Sequence, residues 1–166
     1  MIDPVVATVR LLIVFLLAFG IGIIAGLRSL TAPAAVAWGA HRGWLNLHNT
    51  ALSFTGSGIA VGIFTILAFA ELVADQLPST PARTKPIGLI ARILLGGLSG
   101  AAVALAGAQS AAVGSILGAT GGVIGAFAGY QARTRLVRAL KVPDIVIAVL
   151  EDLVAIAGAV LIVTRF

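Results

Sequence analysis

Four carboxylates interrupt stretches of this sequence that are otherwise almost wholly apolar, and they are its strongest candidates for chemistry. Glu71 and Asp75 are four residues apart, so on a helix they share one face. Glu151 and Asp152 lie within another apolar run. A charged side chain at the centre of a membrane costs about 3 kcal/mol or more, so these groups need a partner or water. Carboxylate oxygens suit a proton relay or a hard cation.

Two arginines, Arg92 and Arg10, also stand inside apolar runs. One interpretation is a polar path in which they tune the four carboxylates. The alternative is a set of structural ion pairs, in which Arg92 pairs with Asp75 or Glu71 and Arg10 pairs with Glu151 or Asp152. The ligand spacing predicts no particular metal, and both interpretations stay open.

A second candidate site lies in the segment Gly26–Pro33. Arg28, Ser29 and Thr31 precede a proline that suits the first turn of a helix. An arginine, two hydroxyls and a helix N-terminus can hold an anion. The alternative is that Arg28 extends to lipid headgroups while Ser29 or Thr31 caps the helix.

Other chemistry has no support in the sequence. The chain has no cysteine, which excludes disulfides and thiolate ligands. Nucleotide-binding loops, zinc-protease motifs and nucleophile elbows are missing, so we expect neither an enzyme nor a cofactor. No basic run alternates with aromatic residues, so nucleic acid is not an expected partner.

Composition places the chain in a membrane. Of its 166 residues, 60% are hydrophobic and 10% are charged, against about 25% charged in soluble domains. The predicted fold is one all-α transmembrane domain over residues 1–166. Five runs are long enough to span a bilayer. They are Val5–Leu27, Ile59–Leu77 (ended by Pro78 and Pro81), Ile87–Gly107, Ala112–Tyr130 and Ile145–Val163.

A short helix over Thr31–Trp38 cannot span, so we expect it to be re-entrant or interfacial. With five spans, one side of the membrane holds most of the basic residues, which predicts a cytoplasmic N-terminus. The basic continuation of the fourth span is expected to contact anionic lipid. Its residues are Arg133, Arg135, Arg138 and Lys141; Arg10, Arg83, Lys85 and Arg92 are assigned to the same side.

Glycines recur every four residues along the fourth span, in one row from Gly114 to Gly122 and another from Gly121 to Gly129. Such rows allow close helix packing, within the chain or in a homodimer. Similar segments around Arg10 and Arg92, and around Glu71 and Glu151, also suggest an internal repeat, as in many transporters.

The segments GLRSLTAPAAVAW and ELVADQLPSTPARTKPIGLIAR resemble a family of small bacterial integral-membrane proteins labelled only as a domain of unknown function. The segments GYQARTRL and PDIVIAVLEDLVAI look like its C-terminal part. The resemblance implies a protein of the bacterial cytoplasmic membrane and no particular activity. From the residues we predict a small channel or secondary transporter for an ion or small polar solute. The alternative is a membrane scaffold or accessory subunit that transports nothing.

Overall fold

The computed structural model describes residues 3–75 and 85–166, which form six α-helices and a short 3₁₀ helix. Four of the helices, α1, α4, α5 and α6, are long and apolar enough to cross a membrane, and α3 is a shorter apolar helix. The predicted all-helical membrane architecture is confirmed. The predicted end of the second span, its prolines and Arg83 lie outside the described residues. The helices are α1 (Pro4–Leu27), α2 (Thr31–His41), α3 (Gly58–Ala74), α4 (Pro86–Ala106), α5 (Ala111–Leu140) and α6 (Asp144–Val163), with the 3₁₀ helix at Ser53–Gly56.

Helices α1, α4 and α5 form a core in which backbone touches backbone. A Cβ atom added at Gly22 or Gly96 would lie less than 3 Å from backbone atoms of Gly118. In lipid, such close approach provides the packing contacts that hold helices together. Both glycine rows of α5 are used inside this chain. Gly114, Gly118 and Gly122 face α4, and Gly121 and Gly125 face α1.

The glycine contacts also fix the helix directions. Gly22 meets Gly118 and Gly26 meets Gly122, so α1 and α5 run in the same direction. Helices α4 and α6 run the other way and begin beside the end of α5. We call the end with the starts of α4 and α6 the basic end, because it carries the basic residues of α5. The end with the N-terminus and the end of α6 is the opposite end.

Helix α2 runs from the end of α1 back to the opposite end. Gly39 of α2 lies beside Val163 at the end of α6, and seven of the eleven residues of α2 are buried. Helix α3 then returns alongside α2, with Trp38 Nε1 donating to Thr65 Oγ1 at 3.0 Å. The six described helices therefore alternate in direction along the chain, where the sequence predicted five spans and one short helix.

These directions correct two predictions. Helix α2 is not interfacial, because seven of its eleven residues are buried, and it runs inside the bundle from the end of α1 to the opposite end. The N-terminus does not share an end with the basic part of α5. At eleven residues, about 16 Å, α2 is half the length of a usual span, which is why the apolar pattern did not identify it as a pass.

The predicted internal repeat fits the helix order only in part. Helices α1–α3 and α4–α6 are two groups of three with opposite directions, as in an inverted repeat. Arg10 and Arg92 lie at opposite ends, as that symmetry requires. Glu71 and Glu151 lie at the same end, whereas an inverted repeat would place corresponding residues at opposite ends. The repeat stays a prediction.

Candidate functional site

The helical backbone is interrupted inside the bundle at Arg28, Ser29 and Leu30, between α1 and α2, and we call this interruption the break. A carboxylate from α3 accepts hydrogen bonds from two of its amides. Glu71 Oε1 accepts the Ser29 N–H at 2.7 Å and the Ser29 hydroxyl at 2.5 Å, and Oε2 accepts the Leu30 N–H at 2.8 Å. Irregular backbone at membrane depth requires such partners. The prediction that Ser29 or Thr31 caps α2 is wrong, because the N-cap residue is Leu30 and Glu71 serves the amides.

Arg28 is the centre of the site. Its side chain is completely buried, and it connects two helices that meet the break from different sides. Nη1 donates to the Asp75 carboxylate at the end of α3, and Nε donates to Asp152 Oδ1 in α6 at 2.5 Å. The headgroup position considered for Arg28 is therefore wrong. Two carboxylates within the protein offset the cost of keeping this charge out of water.

Arg92 of α4 supports the other side of the break. Its Nε donates to the Gly26 carbonyl in the last turn of α1, and its Nη1 donates to the Gly88 carbonyl, both at 3.0 Å. Its Nη2 lies 3.9 Å from Glu71 Oε1, so the predicted pair with Glu71 is found. Arg92 thus holds both the end of α1 and the carboxylate that serves the start of α2.

The predicted site residue Glu151 has a different partner from the one expected. Arg133 of α5 contacts Glu151 Oε2 at 3.7 Å and forms a two-bond pair with Asp144 at 2.5 and 2.9 Å. Five of the six carboxylates in the chain thus gather with three arginines. We call this group the polar cluster. Its members are Arg28, Arg92, Arg133, Glu71, Asp75, Asp144, Glu151 and Asp152.

Arg10 does not belong to the polar cluster, which corrects the prediction that it pairs with Glu151 or Asp152. It lies at the opposite end of the bundle, in an open groove that Arg165 also lines. Eighteen helical residues separate it from Arg28, a distance of about 27 Å along α1. The error came from the five-span topology, which placed Arg10 and the carboxylates of α6 on the same side of the membrane.

No preformed metal site accompanies the polar cluster. Within residues 3–75 and 85–166, no three carboxylates or histidines come together as a metal would require. Arginines separate the carboxylates instead. His41 Nδ1 lies 3.0 Å from the Gly56 carbonyl oxygen, within hydrogen-bond distance.

The polar cluster extends from Asp144, at the start of α6, into the bundle. Asp152 is eight residues into α6, about 12 Å from the start of that helix. From the opposite end, a groove of about 370 Å³ between α2, α3 and α6 leads to Thr31. Arg42 and Trp44 lie at its mouth. The groove is lined mainly by apolar side chains, and Thr31 is the polar residue nearest the break.

Helix α3 has the smallest share of buried residues among the six described helices. Among its described residues only Ala60 and Val61 are buried, and both lie in its first turn. From Gly62 to Asp75 no residue is buried. The groove separates this part of α3 from α6. Its polar contacts include the bond from Trp38 to Thr65 and the hydrogen bonds of Glu71 and Asp75, and its apolar residues Phe64, Ala68 and Leu72 are half-buried.

Comparisons with known proteins identify a family and no individual relative. Neither the curated proteins nor the solved structures give a match. The model of a family described as "Domain of unknown function (DUF4126)" matches residues 15–165. The match includes the break after α1, both carboxylates of α3 and the whole polar cluster. On this match over most of its length, the chain belongs to the DUF4126 family.

Proposed function

We propose that this membrane protein is a small secondary transporter or channel for an ion or small polar solute. The observation that carries the proposal is the attachment of α3. From Gly62 to Asp75 no residue is fully buried, and the carboxylates of Glu71 and Asp75 connect this part of α3 to the centre of the protein. A helix held mainly by ion pairs is released when the charges are neutralised, whereas a helix held by apolar packing is not.

The proposed cycle uses a rigid part and a moving part. Helices α1, α4 and α5 are locked by backbone contacts at glycine, so they form the rigid part. Helix α3 is the moving part, and a proton or cation on Glu71 or Asp75 weakens its hold on Ser29 and Arg28. The five carboxylates of the polar cluster exceed its three arginines, which favours uptake of positive charge. The groove provides access from the opposite end, and release of α3 provides it from the basic end.

The distribution of basic residues suggests the orientation. Arg135, Arg138 and Lys141 lie at the basic end, together with Lys85 at the start of α4. The rule that such residues accumulate in the cytoplasm places this end inside. With six passes, both termini then lie outside, which reverses the orientation predicted from five. The resemblance to bacterial proteins favours the cytoplasmic membrane, and the exposed basic residues favour contact with anionic lipid.

Proton flux into liposomes under a pH gradient tests the proposal. Glu71→Gln and Asp75→Asn should abolish flux, because each removes a carboxylate that attaches α3. Asp3→Asn is the matched control, since Asp3 is the one carboxylate outside the polar cluster. Folded Glu71→Gln and Asp75→Asn variants with wild-type flux would refute the proposed path.

Movement of α3 provides a second test that needs no substrate. The chain has no cysteine, so spin labels at Val73→Cys and Leu94→Cys report the distance between α3 and α4. Both positions are exposed. Glu71→Gln should lengthen or broaden this distance at neutral pH, and Asp3→Asn should leave it unchanged. An unchanged distance in Glu71→Gln would exclude α3 as the moving part.

The second candidate is a membrane scaffold or accessory subunit that transports nothing and whose buried ion pairs are structural. The backbone contacts among α1, α4 and α5 and the mutual pairing of arginines and carboxylates favour it. A homodimer fits either function. A Cβ atom added at Gly58 or Gly62 of α3 would meet no described atom within 4 Å, so these glycines offer a small-residue face to a second copy. Absence of flux together with a fixed α3 would select the scaffold.

A further inference from the structure

We propose that the break between α1 and α2 is a binding site for a small carboxylate anion, and that Glu71 occupies it as a tethered competitor. This inference rests on the proposed function and names the class of its solute. The Glu71 carboxylate arrives from another helix, and both of its oxygens are bound by donors of the break. The site therefore already has the geometry for a carboxylate.

Two further donors of the same segment have no hydrogen-bond partner in the described part of the chain. They are Arg28 Nη2 and Thr31 Oγ1, and both atoms are buried. Arg28 is fully buried and Thr31 is 6% exposed. A buried polar group without a partner is costly, and native proteins rarely leave two in one short segment. A carboxylate ligand at the break would supply acceptors for groups that Glu71 leaves unused.

The groups that face the break itself, in contrast to the net charge of the polar cluster, suit a small anion. Thr31 lines the groove that opens at the opposite end, and exposed Arg42 lies at the mouth of that groove. The groove gives an anion an approach to the break, and Arg42 gives it positive charge at the entrance. The N-terminus of α2 adds the favourable end of a helix dipole.

Displacement of Glu71 links binding to movement. A ligand that takes the Ser29 and Leu30 amides removes the three bonds that Glu71 makes to the break. Helix α3 then depends on the attachment of Asp75 to Arg28 at this end. Replacement of the Glu71 carboxylate by the ligand thus both binds the anion and releases α3.

Acetate is the probe, with chloride at equal ionic strength as the control anion. In wild type, acetate should lengthen the Val73–Leu94 label distance, because it competes with Glu71. Glu71→Ala should bind acetate about tenfold or more tightly than wild type, because the tethered carboxylate no longer competes. Binding is measured by titration calorimetry and by the unfolding midpoint in detergent.

Thr31→Val is the second variant, and it keeps the test decisive if Glu71→Ala fails to fold. The hydroxyl bonds to no described residue, so its loss should leave the fold intact. Its loss should weaken the acetate response about tenfold, the usual effect of one hydrogen bond to a charged ligand. The proposal is overturned if label distances in wild type are the same in acetate and chloride, or if Thr31→Val responds to acetate as wild type does. Proton flux is measured without acetate, so failure of the proposed function is seen separately.

Discussion

Replacement of Arg28 by methionine should be the most damaging single change in the polar cluster. Arg28 is fully buried and serves two carboxylates, whose side chains are only 17% exposed at Asp75 and 10% exposed at Asp152. Without the guanidinium, two buried negative charges face each other. Loss of one partner from a buried pair costs about 3–5 kcal/mol, so we expect a loss of this size in the free energy of unfolding.

The measurement is unfolding by dodecyl sulfate in mixed micelles, followed by fluorescence of Trp38 and Trp44. Arg138→Met is the matched control, because Arg138 is an exposed arginine at the same end of the bundle. We expect the control to change the free energy of unfolding by no more than about 0.5 kcal/mol. A cost for Arg28→Met no larger than that of the control would refute the central role given to this residue.

A triple variant separates two contributions to the loss of stability, the lost ion-pair attraction and the cost of leaving buried carboxylates unpaired. Arg28→Met combined with Asp75→Asn and Asp152→Asn removes the arginine and both carboxylate charges. Replacing a whole buried ion group by neutral residues is often nearly neutral for stability. The triple variant should therefore be more stable than Arg28→Met alone. If it is less stable, the damage does not come from unpaired charge.

Two further predictions concern packing and pairing. Gly118→Ala should destabilise the fold by about 1–3 kcal/mol through overpacking, because the new methyl would lie 2.9 Å from the Gly100 Cα atom. At Gly62 an added Cβ atom would meet no described atom within 4 Å. Gly62→Ala should therefore leave the free energy of unfolding unchanged or raise it by up to about 1 kcal/mol through helix propensity. Equal effects of Gly118→Ala and Gly62→Ala in the same unfolding assay would contradict the packing. In double-mutant cycles, Arg92→Ala should couple to Glu71→Ala by about 1 kcal/mol and less to Asp75→Ala. A larger coupling to Asp75 would favour the other pairing that the sequence left open, between Arg92 and Asp75.

Much of the helical framework is predictable because it depends on local pattern. The long apolar runs identify α1, α4, α5 and α6, and the four-residue spacing of glycine along α5 identifies the tight packing. These features need only the chain near them, so composition and periodicity are enough.

The centre of the site is not predictable in the same way, because it depends on contacts between distant segments. Arg28 and Asp152 are 124 residues apart, and no periodicity links them. An arginine after a long apolar run also resembles one at a membrane surface. A signal was nevertheless present. The residues from Leu30 to Ala40 carry no charge, although a surface segment after a span would be expected to carry several.

The glycine core has a consequence for how the protein is made. Helix α1 leaves the ribosome first, yet its contact at Gly22 is with Gly118, which is synthesised 96 residues later. At about 5–20 residues per second, this partner arrives roughly 5–20 s after Gly22. Arg28 receives Asp75 after 47 residues and Asp152 after 124. The contacts that neutralise Arg28 and cover Gly22 can therefore form only several seconds after these two residues are synthesised.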